Sequence, residues 1–126
     1  MFGALGVRRL VMAGAALALG AATLGATAVG AEAASGCYGI GGGKYNCNVW
    51  KTAPTFWENN VRAGTLNAGT NYFYCQAMGT RMSDGPYYNK WYAKTDDDSG
   101  NKGVWVNAIY ISGGGNDEPV PGLPYC

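Results

Sequence analysis

NYFYCQ, residues 71–76, alternates with the period of an extended chain. Phe73 and Cys75 fall on one side and Tyr72, Tyr74 and Gln76 on the other, which is how a strand separates two different surroundings. Its aromatic side chains also suit a pleated surface better than a helical one. Just upstream, VRAGTL (61–66) is a second extended run, and NAGT between them is a turn, because Asn and Gly accept backbone conformations that other residues avoid.

The same punctuation continues outward. Downstream, KWYAKT (90–95) alternates Trp91 and Ala93 against Tyr92 and Lys94, and VWVNAIYIS (104–112) places Val104 and Val106 inward and Trp105 outward. DDDSGNKG (96–103) between them is a polar hairpin loop with Gly where a positive φ is needed. Upstream, YNCNVWK (45–51) supplies a first strand. TAPTFWENN (52–60) and MGTRMSDGPYYN (78–89) read as loops, the second with a turn at Asp84-Gly85-Pro86. No run after residue 34 sustains a 3.6-residue apolar period, so the expected class is all-β, and five short strands joined this way predict a small closed barrel. Its expected core is Phe73, Trp91, Leu66, Val61, Val104, Val106, Ile109 and Ile111.

The N-terminus has a different composition. Arg8-Arg9 precedes an Ala/Leu/Val/Gly run to about residue 30, and Ala31-Glu32-Ala33 supplies the small residues a signal peptidase requires. A membrane anchor is the competing reading, but the run is made of Ala and Gly with few large side chains. Residues 1–33 are therefore expected to be a signal peptide, 34–44 a flexible Gly-rich lead-in, and 45–126 the barrel with a disulfide-tethered tail. The expected location is secreted, extracellular or cell-wall associated, with no membrane attachment after signal removal.

Charge and cysteines fit that assignment. Of nine Lys/Arg and eight Asp/Glu in the 126 residues, Arg8, Arg9 and Glu32 belong to the leader, so seven of each sign remain. That balance offers no electrostatic ground for nucleic acid as a partner. Cys37, Cys47, Cys75 and Cys126 all follow the leader, an even number in a short exported chain, which predicts two disulfides. A zinc site lacks the close Cys pair and the histidines it usually uses, since the chain has no His. Three pairings are open to four cysteines; the favoured one is Cys37 with Cys47 and Cys75 with Cys126. In the latter, the proline-rich tail PVPGLPYC (119–126) is a strap closed by its last residue. Its Pro121-Gly122-Leu123-Pro124 also has the Pro-x-x-Pro spacing of extended ligands that dock on aromatic grooves.

VRAGTLNAGTNYFYCQ, NKWYAKT and GVWVNAIYI resemble the strands of bacterial SH3-like (Src-homology-3-like) modules. TDDDSGNKGVWVNAIY and PVPGLPYC are similar to runs of small secreted SH3-like domain proteins of Gram-positive bacteria. The resemblance covers residues 45–126 and implies a five-stranded SH3-like barrel whose last strand is followed by one short helical turn. It also implies a non-catalytic binding module for peptidoglycan or another wall glycan or peptide. VWKTAPTFWEN (49–59) departs from the family's usual segment after the first strand, so no ligand residue transfers there.

Chemistry points the same way. Without His the commonest general bases and nucleophile partners are missing, and paired cysteines leave no thiol. The carboxylates Glu58, Asp84, Asp96, Asp97, Asp98, Asp117 and Glu118 lie in segments read as loops. DDDSGN spaces Asp96, Asp98 and Gly100 like the start of a calcium loop, but Asn107 stands where a bidentate Glu is wanted. No metal or cofactor is expected. Aromatic residues are in excess: 16 in the chain, of which only Phe2 precedes residue 34. Those read as facing outward or lying in loops are Trp57, Tyr72, Tyr74, Tyr87, Tyr88, Tyr92 and Trp105. Among them Trp57, Tyr74, Tyr87, Tyr88 and Trp105 are the candidate ligand-binding residues of a monomeric, non-enzymatic binding module. The alternatives are a secreted inhibitor or toxin-like effector of an extracellular enzyme, and a small hydrolase.

Overall fold

The computed structural model describes residues 36–126, and the signal peptide read at 1–33 lies outside the described residues. Seven strands follow in order: β1 (Tyr38–Gly41), β2 (Lys44–Val49), β3 (Ala53–Phe56), β4 (Arg62–Leu66), β5 (Gly69–Asp84), β6 (Tyr87–Thr95) and β7 (Val104–Asn107). They pair antiparallel as one sheet in the spatial order β1-β2-β5-β6-β7-β3-β4, and a single 3-10 turn, Ala108–Tyr110, follows β7. The chain is all-β, but the five-stranded closed barrel is corrected to an open seven-stranded sheet.

Two strands account for the difference. Tyr38–Gly41, read as lead-in, pairs with β2 at Tyr38↔Asn46 and Gly39↔Tyr45, so its glycines are ordered by a ladder that a compositional reading does not reveal. Ala53–Phe56, read as loop, buries Ala53 and Thr55 and pairs with β4. Pro54 is tolerated because β3 meets β7 only at Phe56↔Trp105, leaving no partner opposite Pro54 on that side. β2 runs into β3, and β4 into β5, through residues 50–52 and 67–68. The two strand pairs are thus one bent ribbon whose halves lie in different parts of the sheet. The chain beyond β7 returns to β2 through the Val49↔Ile111 bridge and the Ser112 N–H to Asn48 carbonyl bond of 2.8 Å.

β5 is longer than NYFYCQ and carries a bulge. Phe73 opposes Thr95 while Cys75 opposes Lys94, so Tyr74 is an extra residue and the alternation slips by one. Gln76, read as facing the tyrosines, therefore turns inward and is 1% exposed. β5 and β6 then continue as a hairpin to the Gly85-Pro86 turn, where the sequence suggested a wide loop. The core holds Phe73, Leu66, Val106, Ile109 and Ile111, and Val104 is equally buried. Val61 is not in it, being 56% exposed before the start of β4, and Trp91 packs against it only partly buried.

Cys37 is bonded to Cys47 and Cys75 to Cys126, with Cα separations of 4.5 and 4.9 Å. These bridges suit an oxidising environment. No helix among the described residues is long and apolar enough to cross a membrane. The tail docks on β5, but not through the rings of Pro121 and Pro124, which are exposed, whereas Val120 and Leu123 are buried. Pro121 and Gly122 form the middle of a tight turn, with Gly122 at φ 81° where the residue after Pro must take positive φ. The Gln76 N–H donates to the Pro124 carbonyl and the Cys126 N–H to the Gln76 carbonyl, each at 2.9 Å.

Candidate functional site

Two open clefts carry most of the exposed aromatic surface. The first, of about 390 Å³, lies between the β3–β4 connection and the middle of β5 and β6, with Phe56, Trp57, Met78, Tyr92 and Trp105 on its walls. Pairing fixes its floor: Trp105 stands opposite Phe56 on one side and Lys94 on the other, and Ala77 opposes Tyr92. Tyr92 is anchored by its hydroxyl, which donates to the Thr80 carbonyl at 2.6 Å. A side chain at Gly79 would place Cβ 3.1 Å from the Tyr92 ring, so a glycine there keeps the ring in position. Trp57 is held at the cleft rim by a turn in which its N–H donates to the Val61 carbonyl and its carbonyl accepts from Asn60, both at 2.9 Å. The Trp105 indole N–H is buried without an acceptor among the described residues.

The second cleft, of about 500 Å³, is lined by Trp50, Tyr87 and Tyr88 and by the glycine-rich stretch 113–115 with Asn116. Trp50 and Tyr87 meet edge to face with centroids 5.8 Å apart. The Trp50 indole donates to the Ile109 carbonyl at 2.7 Å, which fixes the ring at the end of β2. Tyr88 is tied through its backbone: its N–H donates to Asn116 Oδ1 at 3.0 Å and its carbonyl accepts the Asp117 N–H at 3.2 Å. No ionisable side chain other than the tyrosines lines this cleft.

Of the five candidate residues, Trp57 and Trp105 are therefore brought together, and so are Tyr87 and Tyr88. Tyr74 joins neither pair. It meets Tyr72 edge to face, and both hydroxyls donate to Asp96 Oδ2 at 2.6 Å. Trp50, Phe56 and Met78 are cleft residues absent from the sequence-based set, and Tyr92 stood only among the outward aromatics. Trp50 could have been found from alternation alone, since it follows the inward Val49. Phe56 and Met78 required the pairings of β3 and β5.

The acidic loop is occupied by the protein's own donors. Asp96 Oδ1 accepts the Gly103 N–H at 3.0 Å. Asp97 accepts Thr55 Oγ1 at 2.6 Å, the backbone N–H groups of Ser99 and Asn101 at 3.0 and 2.9 Å, and the Asn101 amide at 3.0 Å. Asp98 accepts the Asn67 N–H at 2.8 Å. For Asp96 and Asp97 burial is the largest single influence and pushes the pKa up, yet the hydrogen bonds together hold it below the ordinary carboxylate value. The three acids thus cap the β6–β7 loop and fasten it to Thr55 of β3, to Asn67 just after β4 and to Tyr72 and Tyr74 of β5. Elsewhere Asp84 pairs with Lys51 at 2.9 Å and Asp117 pairs with Arg81. Glu58 alone among the carboxylates lines either cleft, and no cysteine among the described residues is free. No known family model, curated protein or solved structure matches the chain.

Proposed function

We propose that the chain is a secreted, non-catalytic binding domain of the SH3-like type. It takes a cell-wall glycan or peptide on the Trp50–Tyr87–Tyr88 cleft. The observation that carries this reading is the character of that cleft: three half-exposed rings, Trp50 fixed by its indole hydrogen bond and met edge to face by Tyr87, together with glycines and Asn116 and no formally charged group in the lining. Aromatic rings beside neutral polar groups suit the alternating apolar and hydroxyl faces of a sugar. Two disulfides in a domain this small support an extracellular setting. A non-catalytic role is supported by the ties on the carboxylates: Asp84, Asp96, Asp97, Asp98 and Asp117 are each held by protein donors, and neither of the two clefts described collects two acids.

Retention of the oxidised protein on insoluble peptidoglycan tests the proposal. The parent should be retained, and Tyr87→Ala or Trp50→Ala should reduce retention on the order of tenfold while leaving the far-ultraviolet spectrum unchanged. Absence of retention with folded parent protein, or equal retention by the variants, would reject it.

A further inference from the structure

The Phe56–Trp57–Tyr92–Trp105 cleft has a different electrostatic character from its neutral counterpart. Four aromatic rings line it, and its single ionised group is Glu58 on the β3–β4 connection; no Lys or Arg contributes to the lining. Glu58 is exposed, and neither salt bridge of the described residues involves it. Two other polar groups of the lining are engaged within the protein. The Tyr92 hydroxyl donates to the Thr80 carbonyl, and the Asn60 amide donates to Thr80 Oγ1 at 3.2 Å. Lys94 lies on the Trp105 ring at 5.7 Å from its centroid, but its stem leans toward Gly103, at the end of the strand pair away from Tyr92.

We infer that this cleft is a second binding site, for a quaternary alkylammonium group, independent of the wall-binding cleft. The negative faces of aromatic rings attract a cation, and a nearby carboxylate adds to that attraction. A quaternary ammonium is favoured over a primary one for two reasons. Its methyl groups give up little hydration on entering an aromatic cleft, and it has no N–H donors, whereas the three of a primary ammonium would find the Glu58 carboxylate as the single ionised acceptor of this lining. Met78, 62% exposed at the rim, supplies a flexible and polarizable side chain to close around the methyl groups.

Titration of the oxidised protein with choline, followed in two-dimensional proton–nitrogen spectra, tests the inference against the uncharged isostere 3,3-dimethylbutan-1-ol and against n-butylammonium. Choline should give saturable shifts centred on the Trp57 and Trp105 indole signals, and both controls should bind more weakly. Trp57→Ala should weaken choline binding on the order of tenfold, and Glu58→Gln by about threefold. Tyr87→Ala should bind choline as the parent does, so failure of wall retention and failure of this site are separate results. No saturable shift, equal binding of the neutral isostere, or tighter binding of n-butylammonium would overturn the inference. The two control ligands act on the parent protein, so that comparison stands even where a variant fails to fold.

Discussion

The Gln76 side chain grips the backbone of Val120 from both sides: its Oε1 accepts the Val120 N–H at 2.7 Å and its Nε2 donates to the Val120 carbonyl at 2.9 Å. Nε2 also donates to the Leu123 carbonyl at 2.7 Å. A buried amide thus satisfies three backbone groups of the tail, next to the disulfide that closes it. The docked face of the strap is set by this amide together with Val120 and Leu123.

Gln76→Ala should therefore destabilise the domain by about 3 kcal/mol, since it leaves buried backbone groups unpaired as well as a cavity. Chemical denaturation measures this. Gln76→Glu should be nearly as damaging, because a carboxylate accepts from Val120 but donates nothing to the two carbonyls. Either variant matching the parent in midpoint would show that the amide contributes nothing to holding the tail.

The two disulfides should differ in their contributions. Closing loops with sequence separations of 51 and 10 residues constrains the unfolded chain by about 4 and about 3 kcal/mol respectively. Replacing Cys75 and Cys126 with Ser should accordingly lower the melting temperature more than replacing Cys37 and Cys47. The reverse order would place the greater constraint at β1.

Gly122→Ala should be destabilising by about 2 kcal/mol or more, because positive φ is costly for alanine and the added Cβ collides with the Cys37 carbonyl. Gly64→Ala should be comparably harmful for a different reason. A Cβ there would lie 2.6 Å from Ser99 Cβ and 2.8 Å from Asp97 Oδ2, displacing the acidic loop. Thermal unfolding of both variants checks these values.

Acid should unfold the domain partly through its hydrogen-bonded aspartates. Asp96 and Asp97 have folded-state pKa values below the unfolded value of 3.8. Their stabilisation is fully present well above that value and is lost over the interval in which pH falls through 3.8 to the lower folded values. Asp97→Asn should give a lower but flatter stability curve over that interval. A slope equal to the parent's would assign acid sensitivity to other groups.

Alkali should act through phenols. Burial, and then the hydrogen bond to Asp84, push the Tyr110 pKa up to about 12, while the bond to Asp96 is the main cause raising Tyr72 and Tyr74. A raised phenol contributes stability that is present below its unfolded value of 10.0 and lost as pH rises through the folded one. Spectrophotometric titration should show part of the phenolate absorbance appearing only near pH 12, together with loss of far-ultraviolet structure. Complete ionisation below pH 11 would refute the assignment.

Much of this arrangement follows from short-range pattern. The all-β class, the inward Phe73, Val104 and Val106, and the turn at Gly85-Pro86 are readable because pleat alternation and turn chemistry are properties of neighbouring residues. Gln76 was not readable in that way: an extra residue at Tyr74 reverses the face, and a bulge depends on the partner strand. Nor were β1 and β3, where Gly39 and Pro54 argue for loop until Tyr45 and Thr65 lie opposite them. Sequence alone also marked an aromatic excess, since counting rings needs no coordinates. Only the folded sheet sorted those rings, placing Trp57 with Trp105 beside Glu58, Tyr87 and Tyr88 with Trp50, and Tyr74 against Asp96. The physical reason is range: side-chain alternation is settled within a few residues, whereas Phe56 and Trp105 of one cleft, and Trp50 and Tyr87 of the other, are far apart in the chain and meet only when the strands of the sheet are in register.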